Sequence, residues 1–270
     1  MKIGKETLPR SAICTSDEHS ITVRGKDLCR DLIGKISFTD YFYLLLTGQM
    51  PTPAASRVLD ATLVAIAEHG LVPSVQASRM TYAAAPDSLQ GAVAAGILGC
   101  GSVILGASET AGRMLHEIDR RAVDSDIASA AASVVKEYRA KKQSIPGYGH
   151  PLHKERDPRV DALFAVARSV GANLRFVEIA ETVESVIPGI VGKAHKLNVS
   201  AAIPAVLLGV SFPVAALRGV PILARTAGLI AHLNEEAERS IGFALSYQAT
   251  REAIYDGQLS SPPDVHLPVF

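Results

Sequence analysis

The chain contains no tryptophan and only 5% aromatic residues, so nothing supplies the aromatic belt that flanks membrane-spanning helices. Its three cysteines, Cys14, Cys29 and Cys100, have neither CxxC spacing nor an even count, which excludes a disulfide framework or a cysteine-built zinc site. Charge of one sign is absent too: 27 basic residues balance 27 acidic ones. A zero balance argues against a nucleic-acid surface, and any ligand charge must be met locally. No glycine-rich loop ends in GK[ST], so ATP use is not expected. The opening MKIGKETLPR has no apolar secretory segment. Reduced thiols and that opening make cytoplasmic the expected location.

What is present is apolar and helical. Hydrophobic residues make up 48% of 270, enough for a sizeable core. Two runs, Leu89 to Ser108 and Leu197 to Leu217, carry no charge and reach the roughly 20 residues that span a bilayer. The first is interrupted by Gly91, Gly96, Gly99, Gly101 and Gly106, the second by Pro204 and Pro213. Both therefore read as helices from a protein centre or a subunit interface, and no membrane partner is expected. Period-two alternation is scarce, and only Ser20 to Arg24 suggests a short strand or arm. Helices are expected over Ser37–Thr47 ended by Gly48, Thr52–His69 ended by Gly70, Asp124–Lys142 and Pro158–Val170. Further helices are expected over Phe176–Val186, Ala201–Leu208, Ile222–Glu238 and Ser240–Tyr255. The fold class is all-α.

The richest stretch is Ser144 to Arg159, SIPGYGHPLHKERDPR. Pro146, Gly147 and Gly149 permit a tight backbone of close approach. Asp157 and Pro158 form a helix start: a side-chain acceptor for free amides, then a residue that fits the first turn. His150 thus stands at the mouth of a helix, with Lys154, Arg156 and Arg159 near enough to attract an anion. Local pattern alone also fits a loop entering a surface helix with solvated charges. His150 and His153 lie three apart, but no third ligand is in register, so no metal is expected.

The pattern P-G-Y-G-H-x-x-x-K-x-x-D-P-R resembles the signature of the citrate synthase family, and a departure from that family's pattern at Ile104 makes the chain similar to its short citryl-CoA lyase-like members. The resemblance implies a large helical domain (1–104 plus 210–270), a smaller inserted lobe (105–209) and a homodimer. It implies coenzyme A as a substrate thioester, contacted by Pro146, Gly147, Tyr148, Gly149 and Lys154. His150 would bond the keto or alkoxide oxygen, and Arg159 would hold a carboxylate. ARTAGLIAHLNEE (Ala224 to Glu236) resembles the family's A-R-x-x-G-x-I-A-H helix. There Arg225 would bind a second carboxylate, Gly228 would allow close packing, and His232 would complete the substrate side. A buried arginine without an acidic partner is expensive, so a ligand carboxylate suits Arg225.

Two further motifs depart from the family. Where A-G-P-L-H-G-G-A-N-E is usual, Gly101 to Glu109 reads GSVILGASE, with Ile104 in the place of a thioester-polarising histidine. Where N-V-D is usual, the chain reads Asn198-Val199-Ser200. Serine at its ordinary pKa is a poor base without an activating partner. His195 is a candidate substitute, or a structural loop histidine. Three activities remain open: a CoA-dependent carbon–carbon lyase acting on citryl-CoA, a condensing acyl-CoA transferase, and a non-catalytic CoA-ester binder. The ligands in each case are a CoA ester and a di- or tricarboxylate.

Overall fold

Side-chain caps written in the sequence start five of the helices. The structure, a computed structural model, describes residues 9–101, 105–149 and 156–257. Eleven α-helices account for most of them. Ser37 caps α1 (Phe38–Thr47) by accepting from Asp40 N, and Gly48 ends it in the left-handed region at φ 75. Thr52 caps α2 (Pro53–Ala67) in the same way. This helix stops two residues short of His69, because the Glu68 carboxylate accepts from the amides of His69 and Gly70 at 2.7 and 2.6 Å and turns the chain away. Glu68, not Gly70, is the terminal residue. The Ser20–Arg24 arm is the middle strand of a small antiparallel sheet, β1 (Cys14–Ser16), β2 (Ile21–Val23) and β3 (Lys26–Asp27).

Two helices go beyond the expectations, α3 (Pro73–Ala84) and α5 (Ala107–Arg121), while α4 (Leu89–Leu98) covers only the first half of the run read as helical from Leu89 to Ser108. The α5 signal was available, since Ala111, Met114, Leu115 and Ile118 repeat at helical spacing and are buried. Next come α6 (Ile127–Ala140), α7 (Pro158–Ser169) and α8 (Arg175–Val191). The last of these runs past the expected end at Val186 and through Pro188, to stop at left-handed Gly192. Finally come α9 (Val199–Leu208), α10 (Gly219–Glu238) and α11 (Gly242–Glu252).

The chain forms two compact units, Met1–Gly70 with Ile97–Gly228, and Leu71–Gly96 with Leu229–Phe270. In the first, α9 is the axis: Val199 and every residue from Ala201 to Leu208 are buried, and α2, α5, α7 and α8 pack on it. One continuous apolar cluster runs from Val58 on α2 to Ala224 on α10, so α2 shares a core with the 105–209 segment. This division differs from a cut at 104/105 and 209/210. The run from Leu197 is thus a core helix of ten residues, whereas α4 buries only Ala92 and Gly96. One described stretch, Val214–Glu238, is long and apolar enough to cross a membrane by length and composition, with 39% of its apolar window buried.

In the second unit α3 packs on α11 around a buried ion pair. Arg79 donates through Nε to Glu236 at 2.6 Å and through Nη1 to Glu235 at 2.8 Å. Glu236 also accepts from Ser240 Oγ and from the amides of Ile241 and Gly242, so it caps α11. Burial pushes the Glu236 carboxyl up, but Ser240, the Gly242 amide and Arg79 outweigh it and hold it below its ordinary value. A depressed folded value adds stability above the unfolded value, and that stability is lost as pH falls through the folded one. Glu236→Gln should therefore cost about 3 kcal/mol at neutral pH, as breaking a buried pair does. Denaturant titrations should show the gap to wild type closing only as pH drops below 4.5.

Candidate active site

The loop 145–149 is held by backbone pairing to the segment before α9. Gly149 N donates to Lys196 O at 2.7 Å, Asn198 N donates to Gly147 O at 3.0 Å, and Tyr148 faces Leu197 across an antiparallel bridge. Both glycines sit at positive φ, 86 and 83. Gly147 also lies against α9, where an added Cβ would run into the side chain of Ala201. No other residue fits there, which is the physical content of P-G-Y-G. Tyr148 is buried and donates its hydroxyl to Ala180 O at 2.8 Å, anchoring the loop on α8. Burial pushes its phenol well above the ordinary value. Pro146 is half-buried at the turn.

Asn198 binds this loop with its side chain as well as its backbone. Nδ2 donates to Gly149 O at 2.6 Å, while Oδ1 accepts from Ser200 N at 2.9 Å and caps α9. Ser200 is thereby fixed, half-exposed, in the first turn of a buried helix. His195 packs on the same loop, its Nδ1 3.0 Å from where a Gly149 Cβ would be. Its Nε2 is out of solvent and has no hydrogen-bond partner among the described residues. Burial, then Lys193 and Arg139, lower its pKa, so the ring is neutral near pH 7. His150, Lys154 and Ile104 lie outside the described residues.

Arg156 and Arg159 are not free to act as a bare anion trap. Arg156 is paired with Asp161 at 3.4 Å and Glu181 at 3.2 Å, and stacks 5.7 Å over Phe164. Arg159 is paired with Asp157, Nε to Oδ1 at 3.0 Å and Nη2 to Oδ2 at 2.8 Å. Arg225 is the contrast. It is 3% exposed on α10, and its Nε and Nη1 are buried with no hydrogen-bond partner among the described residues. Three residues on, Gly228 lets the helix approach α2 so closely that a Cβ would strike Ala67 O. His232 lies in the other unit, half-buried, its Nδ1 3.4 Å from Arg79 Nη1. No cluster of three metal-ligating residues occurs among the described residues.

The structure thus brings Pro146, Gly147, Tyr148, Gly149, His195 and Ser200 together and sets Arg159 nearby through Asp157. Sequence reasoning missed Asn198 as a clasp and Asp157 as the partner of Arg159. Asp157 was legible only as a helix cap, a role it does fill by accepting from Arg159 N at 3.0 Å.

A buried guanidinium with unfilled donors is destabilising unless a ligand supplies the anion. Arg225→Met should therefore leave the melting temperature of the ligand-free protein equal or higher. Any stabilisation that a di- or tricarboxylate gives the wild type, read by thermal shift, should be lost in the same variant. A fall of several degrees without ligand would show that Arg225 has a structural partner instead.

Residues 50–242 match the family model for the citrate synthase C-terminal domain. Citrate synthase from Synechocystis is 30% identical over 85% of this chain and 56% of its own length, and that from Haloferax volcanii 26% over 73% and 51%. The chain spans about half the length of these curated relatives. The solved citryl-CoA lyase of Hydrogenobacter thermophilus is 34% identical, with a TM-score of 0.81, over 97% of this chain and 98% of that one. ATP citrate lyase from Methanothrix soehngenii, solved with citrate and coenzyme A, shares the fold at 22% identity and TM-score 0.75, over 98% of this chain and 44% of that one. With most of its length matched in these ways, the chain belongs to the citrate synthase family.

Proposed function

We propose that this protein is a CoA-dependent carbon–carbon lyase that cleaves citryl-CoA, or a closely related 3-hydroxy-3-carboxyacyl-CoA, to acetyl-CoA and oxaloacetate. The observation that carries the reading is Arg225, a buried cation with unfilled donors, on a chain similar end to end to a citryl-CoA lyase. A carboxylate of the substrate would accept from Nε and Nη1 of Arg225, and a second would lie on the free edge of Arg159. Pro146 to Gly149 and Lys154 would receive the CoA portion.

The chemistry follows from these assignments. His150 takes the proton of the tertiary hydroxyl, the alkoxide collapses to the ketone of oxaloacetate, and the carbon–carbon electron pair leaves as the enolate of acetyl-CoA. That enolate needs a proton at carbon, delivered by water held at Ser200 or by His195 after the neutral ring has taken up a proton from solvent. Cys14, Cys29 and Cys100 are not disulfide-bonded, which suits the reducing, cytoplasmic setting proposed for this reaction.

One observation favours a second reading, a non-catalytic CoA-ester binder. Among the described residues no carboxylate or imidazole hydrogen-bonds the Ser200 hydroxyl, so nothing there makes it a base. Citryl-CoA, with oxaloacetate followed by a coupled dehydrogenase, separates the two. The lyase should turn over at least 100-fold faster than a His150→Ala control, the lower range for general acid–base catalysis. Turnover no higher than that control, with CoA esters still raising the melting temperature, would establish the binder. Thiol release from acetyl-CoA plus oxaloacetate, with no citryl-CoA cleavage, would make it a condensing transferase.

A homodimer is also proposed, since the second unit exposes Phe243 at 66%, Tyr247 at 65% and Tyr255 at 71%. Light scattering should give twice the 28.5 kDa chain mass, and Phe243→Glu with Tyr247→Glu should halve it.

A further inference from the structure

Arg159 poses a contradiction if it is both the receiver of a substrate carboxylate and already ion-paired. The geometry resolves it. A guanidinium carries five N–H groups in a planar fork, and one carboxylate can use only one edge. Asp157 takes the Nε–Nη2 edge, side-on, with both oxygens. The other edge, Nη1 and the second hydrogen of Nη2, has no partner among the described residues, and the Arg159 side chain is 20% exposed where Asp157 is fully buried.

Asp157 is occupied well beyond that pair. Oδ1 also accepts from Arg159 N at 3.0 Å, and Oδ2 from Val199 N at 3.3 Å. Val199 adjoins Ser200 and begins α9, forty-two residues along the chain from Asp157. One carboxylate therefore fixes the guanidinium of Arg159, the start of α7 and the start of α9 in a single frame.

We infer that Asp157 is a positioning residue: it holds Arg159 so that its free Nη1–Nη2 edge meets a carboxylate in fixed relation to the Asn198–Ser200 turn. Ordinary N-capping needs only an acceptor for Arg159 N, which asparagine or serine would supply. Only a buried carboxylate offers both oxygens to the Nε edge while accepting the Val199 amide. The inference rests on the proposed reading of Arg159 as a carboxylate receiver.

Asp157→Asn and Asp157→Ser both keep the cap, and Arg159→Met removes the fork. Two readouts are paired. In nitrogen-15-labelled wild type the Arg159 Nε–H should exchange slowly with solvent, and at least 10-fold faster in the Asp157 variants. Calorimetry with oxaloacetate should show binding weakened at least 10-fold in either Asp157 variant, with desulfo-CoA binding within 2-fold of wild type. Adding Arg159→Met to Asp157→Asn should cost little more, because both act through one guanidinium. Unchanged Nε exchange, wild-type oxaloacetate binding, or additive losses would each overturn the positioning role. So would failure of both capped variants to fold, which would assign Asp157 to stability alone. If wild type binds no oxaloacetate while the Nε signal responds as expected, the carboxylate reading fails and the frame stands.

Discussion

Everything at the candidate site depends on the pairing of 147–149 with 196–198. Two backbone hydrogen bonds and one side-chain bond from Asn198 join a loop otherwise built from residues with little intrinsic structure. Glycine at Gly147 costs more entropy to order than any other residue, so such a loop does not hold a shape by itself. It holds one here because α9 is buried at every position but Ser200 and offers a rigid wall: Ala201 against Gly147, Asn198 at the helix start. The apolar run that looked long enough for a membrane is the same feature that makes the wall rigid.

Electrostatics sort the arginines into two kinds. Arg156 and Arg159 have carboxylate partners and are structural in part, whereas Arg225 is buried with donors unfilled. A protein retains such a group at a cost, and the cost is recovered only when an anion arrives. That asymmetry points to a ligand more strongly than the count of basic residues around the loop. His195 and Ser200 differ in their surroundings. The ring is neutral and desolvated against Gly149, and the hydroxyl sits in a capped first turn, so neither is an ordinary carboxylate base.

Much of this was legible in the chain. Ser37, Thr52, Asp126, Asp157 and Asn198 all cap helices as their residue types dictate, and the buried stripe Val160, Leu163, Phe164, Ala167 follows from helical spacing. The helix α5 was equally readable from its amphipathic repeat. The end of α2 and the continuation of α8 through Pro188 were not, since a side chain of Glu68 and packing of a long helix overrode the local stop signals.

The sequence by itself determined the helical class, the caps and the motifs that place the chain in its family, because each of these is written in short-range spacing. Tertiary structure alone decided which cations are spoken for. Arg156 meets Glu181 from twenty-five residues away and Asp157 meets Val199 from forty-two, contacts that no local pattern encodes. Whether an arginine is paired or waiting depends on what the fold brings to it, and burial then sets the cost of leaving it alone.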